Sequence, residues 1–487
     1  MKLLKDILYG VGIVAVNGTT DTMVNAICFD SRKVGLDDVF VAVKGTLVDG
    51  HSYIDTALNA GANAIICETM PVNLVNGITY VQVKNGNAAL AIMASNFYGT
   101  PSKNLKLVGV TGTNGKTTIS SLLYQLFKKA GYKVGLLSTI KIMIDDKEIK
   151  ATHTTPDAIT INKSLAEMNN AGVEFCFMEV SSHGIHQKRI EGLVFEGAIF
   201  TNLSHDHLDY HKTFAEYRDT KKLLFDGLPK TAWALTNIDD KNGAVMLQNT
   251  KAKKQTYALK TYADFRAQIL ENQFSGQLLK IDDNELWSKL IGDFNAYNML
   301  AIYATAQLLG LEKMEILRLL SELENVDGRF QYYISGKNIT AIVDYAHTPD
   351  ALKNVLNTIN TLRTGNEDVI TVVGCGGDRD KSKRPVMGHI ASEMSTKVVF
   401  TSDNPRTESP SEILKEVEAG VEAQNTRKVL TIENREQAIK TACQLAQPKD
   451  IILIAGKGHE TYQETNGVRI DFDDYKIVKQ LLTSLEK

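Results

Sequence analysis

Apolar residues fall along this chain in short continuous runs separated by longer stretches of helical spacing. Leu107-Val108-Gly109-Val110, Phe175-Cys176-Phe177-Met178 and Ala198-Ile199-Phe200 are unbroken, as strands buried on both faces require. After the first of these, Ile119, Leu122, Leu123 and Leu126 recur at three- and four-residue intervals, which predicts an amphipathic helix with Gly131 at its end. The alternation returns in the last third, where Ile342-Val343, Ile370 to Val373, Lys397 to Phe400 and Ile451 to Ile454 read as strands. Short β-rich runs alternating with amphipathic patterns of roughly 10 to 15 residues predict parallel sheets covered by helices.

The first hundred residues have strand-like runs at Asn25 to Asp30, Asp38 to Val43 and Ala64 to Cys67, with a helical pattern at Tyr53, Ile54, Ala57 and Leu58. That is a small α/β unit of its own. A chain of 487 residues exceeds what one core can serve and should divide into about three units. Turn chemistry marks the joints at Gly99-Thr100-Pro101-Ser102 and Asp327-Gly328-Arg329, giving expected domains of 1–101, 102–330 and 331–487. The expected fold class is therefore α/β in three domains.

Each polar motif directly follows an apolar strand. Thr111 to Thr118, Glu179-Val180-Ser181-Ser182-His183-Gly184 and Thr201 to His211 do so in the middle unit. Asp344-Tyr345-Ala346-His347, Gly374 to Arg379, Asp403-Asn404-Pro405-Arg406 and Gly456 to Glu460 do so in the last. Ligands of open parallel sheets bind beyond the carboxyl ends of the strands, so two facing crevices are expected, one per domain, with substrates between them.

Charge and composition narrow the partners. A net charge of −3 supplies no basic field for nucleic acid or anionic lipid, so an anionic ligand must be held by local groups. The five cysteines form no C-x-x-C pair, against a disulfide framework or zinc knuckle and in favour of a reducing compartment. Asp6 interrupts the first apolar run, no signal-type core follows, and runs such as Ile451 to Ala455 fall far short of the ~20 residues of a membrane span. A cytoplasmic protein without membrane or nucleic-acid partners is expected.

Gly112-Thr113-Asn114-Gly115-Lys116-Thr117-Thr118, between a strand and a helix, has the makings of a phosphate cradle. Glycines admit backbone N–H groups to the phosphates, Lys116 can reach the β and γ positions, and a threonine hydroxyl can ligate Mg²⁺. Val110 stands where the first glycine of the usual P-loop expression would fall, so a glycine-rich turn with an accidental Lys-Thr is the alternative. His205-Asp206-His207-Leu208-Asp209-Tyr210-His211 offers three imidazoles and two carboxylates; zinc, Mg²⁺ and a solvated polar turn all remain open, the carboxylates favouring Mg²⁺. Glu179 ends a buried strand and is either partnered by a cation or a capping carboxylate. Ser181, Ser182 and His183 lack the G-x-S-x-G setting of a hydrolase nucleophile. Asn295 and Asn298 open a helix patterned by Met299, Leu300 and Ile302, where they either cap it or meet a base.

Taken in order, Asp30-Ser31-Arg32, the Gly112 to Thr118 cradle, Thr154-Thr155-Pro156 and the motifs beginning at Glu179, His205, Asp344, Gly374, Asp403 and Ala455 resemble the Mur ligase family over almost the whole chain. The resemblance implies a uridine-nucleotide-binding N-terminal domain, a central P-loop ATPase domain and a C-terminal Rossmann-like domain that takes an amino acid. It implies an ADP-forming ligase in which a stem-peptide carboxylate becomes an acyl phosphate and an incoming amine displaces phosphate. The implied substrates are ATP, UDP-N-acetylmuramoyl-L-Ala-D-Glu and meso-diaminopimelate, with L-lysine the alternative amino acid, and a monomer is expected.

Carried across by motif, Ser31, Thr46, Leu47 and Val48 would contact the UDP-sugar, and Thr154, Thr155, Ser181, Gln187 and Arg189 the muramoyl peptide. ATP would meet Gly112 to Thr118, Asn295, Arg329, Asp344 and His347, while Lys116, Glu179, His207 and Lys221 would do the catalytic work. Thr117, Glu179, His207 and Lys221 would hold Mg²⁺, the lysine as a CO₂-derived carbamate; the resemblance, through Tyr217, selects it over the adjacent Lys222. Diaminopimelate would be read by Arg379, Asp403, Asn404, Pro405, Arg406, Gly456 and Glu460. His153 departs from the family pattern, where an asparagine often precedes Thr154-Thr155. Folylpolyglutamate synthetase is the nearest enzyme rival, but it lacks the N-terminal unit and the Asp403 to Arg406 loop. A P-loop kinase or ATPase would leave the third domain's motifs unused, and a nucleotide-binding scaffold would need no metal site.

Overall fold

The continuous apolar runs become the inner strands of two large sheets in the computed structural model, which describes residues 1–45 and 48–485. The central sheet has eleven strands, with Lys106–Thr111 between Phe175–Glu179 and Gly197–Phe200, all parallel. Register pairs Val110 with both Glu179 and Ile199, so the cradle and the loops after Glu179 and Phe200 leave the same edge. Ile119, Leu122, Leu123 and Leu126 pack the helix Lys116–Lys129 onto one face with Val108 and Phe177, while Leu107, Met178 and Ala198 face a second core on the other. Helix Lys116–Lys129 ends two residues before Gly131, whose φ of +91° turns the chain away.

The central sheet is not parallel throughout, as the run pattern predicts. Hairpins Lys141–Ile144/Lys147–Lys150 and Phe265–Gln273/Gly276–Ile281/Asn284–Ser288 extend it antiparallel at its two ends. Phe265–Gln273 and Asn284–Ser288 largely alternate buried and exposed positions and Lys147–Lys150 is mostly exposed, so these strands lack the continuous apolar signature of the centre.

The N-terminal unit is a five-stranded sheet in the order Ile13–Asn17, Thr79–Val83, Ala64–Cys67, Val39–Val41, Ile27–Cys28. Its strands near residues 27 and 39 are shorter than the apolar runs suggest because Asp30 caps a 3-10 turn over Ser31–Lys33 and Asp38 turns its carboxylate to the Gly35 amide. Asn85 caps the helix Gly86–Phe97, which packs on Ala158–Asn170 of the central unit.

In the C-terminal sheet, Thr340–Asp344, Ile451–Ala455, Val369–Val373, Lys397–Phe400 and Val429–Thr431 are parallel, with Gln331–Ile334 antiparallel at one edge. Leu352, Met387 and Ile413 bring three helices to one face, and Ile439 and Val478 bring two to the other, a doubly wound arrangement. The chain enters this unit through Gly328 at φ +64°, where a Cβ would lie 2.0 Å from the His459 nitrogen, so only glycine permits the passage.

Beneath the sheet, Arg435 and Asp474 are both 0% exposed and form a two-pronged pair, Nε to Oδ1 2.9 Å and Nη2 to Oδ2 2.7 Å. The same guanidinium donates to the carbonyls of Ala455 (3.0 Å) and Ser402 (3.4 Å), which end the strands before Gly456 and Asp403. Removing one member strands the other charge in the core. Asp474→Asn should cost about 3–5 kcal/mol in the denaturation transition of the C-terminal unit, and Arg435→Met with Asp474→Leu should recover most of it. Urea titration of the three proteins checks this; a single mutant with an unchanged midpoint contradicts it.

Candidate active site

Gly112 lies at φ +149°, and a Cβ there would sit 1.9 Å from Thr201 Oγ1. The close approach lets Thr201 and Asn202 hold the loop: Thr201 Oγ1 donates to Asn114 O (2.6 Å), the Asn114 amide to Asn202 Oδ1 (2.9 Å) and the Thr113 amide to Asn202 O (2.8 Å). Beyond it the helix opens at Lys116, so its unpaired amides face the cleft as an anion site. Lys116 Nζ donates to the carbonyls of Gly112 (3.0 Å) and Thr113 (2.8 Å). Burial lowers its pKa, opposed by the charges of Glu179 and Asp206.

Lys221 is 1% exposed and donates to the same Gly112 carbonyl at 2.9 Å, with its Nζ 4.6 Å from the centre of the Tyr217 ring. Burial first, and then Lys116, drives its pKa well below that of a free lysine. The adjacent Lys222 is tied to Asp226 at 2.6 Å. Two neighbouring lysines thus have different fates, one spent on a carboxylate and one turned to the cradle.

Glu179 is fully buried at the strand end, where it accepts from the Thr139 amide on Oε1 (2.7 Å) and from Thr117 Oγ1 on Oε2 (2.9 Å), with the Thr139 hydroxyl 3.1 Å from Oε2. Arg329 Nη2 donates to Thr117 Oγ1 at 3.1 Å. His207 takes a left-handed φ of 55° with its Nε2 3.4 Å from Asp206 Oδ2. Burial drops its pKa to about 3, so the ring is a neutral nitrogen donor at ordinary pH.

One cleft of about 2040 Å³ takes in both sheets' loops, in place of the two crevices expected from the motif pattern. Asn114 Nδ2 donates to Asp350 Oδ2 (3.1 Å) and His205 Nε2 lies 3.7 Å from Asp380 Oδ2, so the two units touch across it. Arg329 stacks 4.5 Å over Tyr345, beside His347 and His459, whose pKa values burial lowers to about 4 and about 3. Asp344 accepts the Phe330 amide at 2.7 Å, and burial lifts its carboxyl to about 6.

On the far wall stand Arg379, Asp403, Asn404, Arg406, Gly456 and Glu460. Arg406 has a left-handed φ of 52° and donates Nη1 to Gly377 O at 2.6 Å. Asn404 Nδ2 donates to Glu460 Oε2 at 2.7 Å. Pro405 is buried behind this wall, its carbonyl against Gly377.

Thr154, Thr155, Ser181 and Arg189 also line the cleft, Arg189 Nη1 donating to Thr155 O at 2.5 Å. Gln187 stands behind Arg189, accepting from its Nε (3.1 Å) and Nη2 (2.7 Å). His153 lines the cleft with its Nδ1 3.1 Å from Thr152 Oγ1. Asn295 lines it too, but its Nδ2 donates to Ile291 O (2.9 Å) and its Oδ1 accepts from Asn298 (3.1 Å), as helix-start asparagines do. Ser31 and Val48 lie on the N-terminal unit and are not among the cleft residues; Thr46 and Leu47 fall outside the described residues. Sequence reading passed over Thr139, and gave no individual role to Asn202, Tyr345 and Lys457 within the motifs it singled out. The signal for Thr139 was position alone: it follows the strand Val134–Leu137, which lies in register beside that of Glu179.

Among the described residues no three His, Cys, Asp or Glu side chains gather as a metal cluster. A small hard cation still fits beside Glu179, whose buried carboxylate is met only by hydroxyl and amide donors, and whose partner Thr117 stands at the mouth of the anion cradle. No helix of the described residues is long and apolar enough to cross a membrane.

Three family models match this chain: "Mur ligase family, catalytic domain" over residues 23–98, "Mur ligase middle domain" over 110–306 and "Mur ligase, glutamate ligase domain" over 328–458. The UDP-N-acetylmuramoyl-L-alanyl-D-glutamate--2,6-diaminopimelate ligase of Cytophaga hutchinsonii is 56% identical over 485 residues, covering 99% of this chain and 100% of the relative. The protein of that name from Phocaeicola vulgatus is 52% identical, again over 99% of this chain and 100% of its own. A solved structure under the same name superposes with a TM-score of 0.70 at 31% identity, over 100% of this chain and 99% of that one. With the cradle and most of the strand-end loops lying within matched segments, the chain belongs to the Mur ligase family.

Proposed function

We propose that this protein joins meso-2,6-diaminopimelate to UDP-N-acetylmuramoyl-L-alanyl-D-glutamate, converting ATP to ADP and phosphate, in the making of the bacterial cell-wall precursor. The observation that carries the reading is one cleft with a phosphate cradle on one wall and a loop cluster bearing both acidic and guanidinium groups on the other. A ligation that activates a carboxylate with ATP and then delivers an amine needs both walls at one carboxyl group. The names of the relatives supply the substrates.

In the first step a carboxylate oxygen of the stem peptide forms a bond to the γ-phosphorus and ADP leaves. Lys116, at the mouth of the cradle, offsets charge on the transferring group. In the second, the amine nitrogen bonds to the acyl carbon, loses a proton, and phosphate departs with the electrons of the C–O bond. Mg²⁺ would be held by Thr117 and Glu179 with His207 as neutral donor, and when bound it balances phosphate charge. Lys221 adds CO₂: its neutral amine bonds to the carbon, releases a proton and becomes an anionic oxygen ligand in place of a cation. Its burial beside Lys116 favours the neutral amine that this requires.

Arg189, Thr154, Thr155 and Ser181 bind the peptide stem, and Ser31 and the residue 46–48 loop bind the uridine end. Asn295, Arg329, Asp344 and His347 surround the nucleotide. We place the domain boundaries at 1–101, 102–330 and 331–487 and the protein in the cytoplasm as a monomer.

Lys116→Ala should lower kcat by at least about 100-fold while the UDP substrate binds as before, checked by ADP release and by calorimetry; near-normal turnover removes Lys116 from the chemistry. For Lys221→Ala the expectation is loss of most activity and partial recovery with added short carboxylates, whereas an active wild-type enzyme whose mass shows no added CO₂ in native conditions contradicts the carbamate. Arg406 supports the choice of amino acid, because diaminopimelate has a second carboxylate for a guanidinium to grip and lysine has none. Wild type should prefer diaminopimelate in kcat/KM by about 10- to 150-fold, collapsing toward parity in Arg406→Ala; equal values in wild type, or a preference untouched by the substitution, contradict it.

A further inference from the structure

Lys457 follows the strand Ile451–Ala455 and is 0% exposed, an uncommon state for a lysine. Its Nζ lies 3.1 Å from Asn404 Oδ1 and 3.2 Å from Glu460 Oε2, and 5.4 Å from the centre of the Tyr462 ring. The Glu464 amide also donates to Asn404 Oδ1, at 2.9 Å. An ammonium and an amide are donors only, so both fix that atom as the oxygen and turn Asn404 Nδ2 onto Glu460 Oε2 at 2.7 Å. Both protein donors to this carboxylate converge on Oε2, which leaves Oε1 for an incoming donor.

Other buried cations under this edge are committed elsewhere. Arg435 is held by Asp474, and Arg384, also 0% exposed, by Glu408 and Glu416. Arg384 meets the cleft wall through the Gly376 carbonyl (3.2 Å), whereas Lys457 reaches two side chains that face the cleft, Asn404 and Glu460.

We propose that Lys457 is a positioning residue for the amino acid that enters this cleft: it helps fix the orientation of the Asn404 carboxamide and sets a buried amine against Glu460 Oε2. The assignment rests on the functional reading above and adds to it a residue that acts through Asn404 and Glu460. Burial and the neighbouring Asp403 both push the Glu460 carboxyl up, and Lys457 pulls it back down. Without Lys457, Glu460 would lose the neighbour that pulls its carboxyl down, and Asn404 Oδ1 would keep only the Glu464 amide of its two donors.

The test is steady-state kinetics of full-length wild type, Lys457→Met and Lys457→Gln with diaminopimelate, ATP and UDP-N-acetylmuramoyl-L-alanyl-D-glutamate varied in turn. Lys457→Met should raise KM for diaminopimelate at least about tenfold and leave the KM values for ATP and the UDP substrate within about twofold. Lys457→Gln keeps a donor for Asn404 without the charge and should fall between Met and wild type. It also serves if the Met variant is insoluble. A purely structural lysine would instead lower the active fraction, or raise all three KM values together, and either result overturns the assignment. So does a diaminopimelate KM within about twofold of wild type in a folded variant. If wild type itself turns over no diaminopimelate, the functional reading fails and this assignment fails with it; a normal wild type with an unaltered variant overturns the assignment alone.

Discussion

Two buried amines share one carbonyl oxygen, that of Gly112, at 3.0 and 2.9 Å. That crowding is the constraint on which the chemistry of the cleft depends. The two nitrogens can be no more than about 6 Å apart, and two unit charges at that distance repel by about 3 kcal/mol at an effective dielectric constant near 20. Asp206 compensates both amines, but Lys116 also has Glu179, whereas Lys221 lies buried against an aromatic ring. The arrangement disfavours a proton on Lys221 more strongly than on Lys116. In the proposed mechanism Lys116 serves as the positive charge for phosphate and Lys221 as the nucleophilic amine.

The same economy of charge runs through the second wall. Three cations placed there answer carboxylates: Arg435 answers Asp474 beneath the strand ends, Arg384 answers Glu408 and Glu416 behind the Gly374 to Arg379 loop, and Lys457 answers Glu460 at the surface of the cleft. Register makes this possible. Asp344, Val373 and Ala455 are paired in adjacent parallel strands, so the loops that follow them start level and present their side chains to one space. Contacts from Asn114 to Asp350 and from His205 to Asp380 then set that edge opposite the cradle.

Much of this was legible in the residues. Strands buried on both faces must be continuous in apolar character, so the seven inner strands that feed the site stood out, and the polar motif after each was necessarily at a carboxyl end. The antiparallel ends of the central sheet were not legible, because Phe265–Gln273 has one wet face and reads like surface. Nor was the union of two crevices into one cleft, which depends on contacts across domains that no local pattern encodes. Lys221 and Lys222 are indistinguishable by composition; only the helix rotation that gives one Asp226 and the other Gly112 separates them. Lys457 received no role of its own for a related reason, since lysine is ordinarily a surface residue and its burial follows from the strand end beneath it. Asn295 shows the reverse limit: a position at a helix start is filled by local hydrogen bonds whether or not a base is also met.

The central claim is that one cleft couples ATP cleavage to amide formation at a single carboxyl group. Phosphate release measured with purified protein, MgATP and UDP-N-acetylmuramoyl-L-alanyl-D-glutamate, with and without meso-diaminopimelate, addresses it directly when the nucleotide-sugar product is weighed in parallel. The account predicts sustained release only with the amino acid present, one ADP per product formed, and a product heavier by diaminopimelate less water. Sustained release without the amino acid, release of pyrophosphate, or ATP consumption with no change in the mass of the UDP substrate would contradict it.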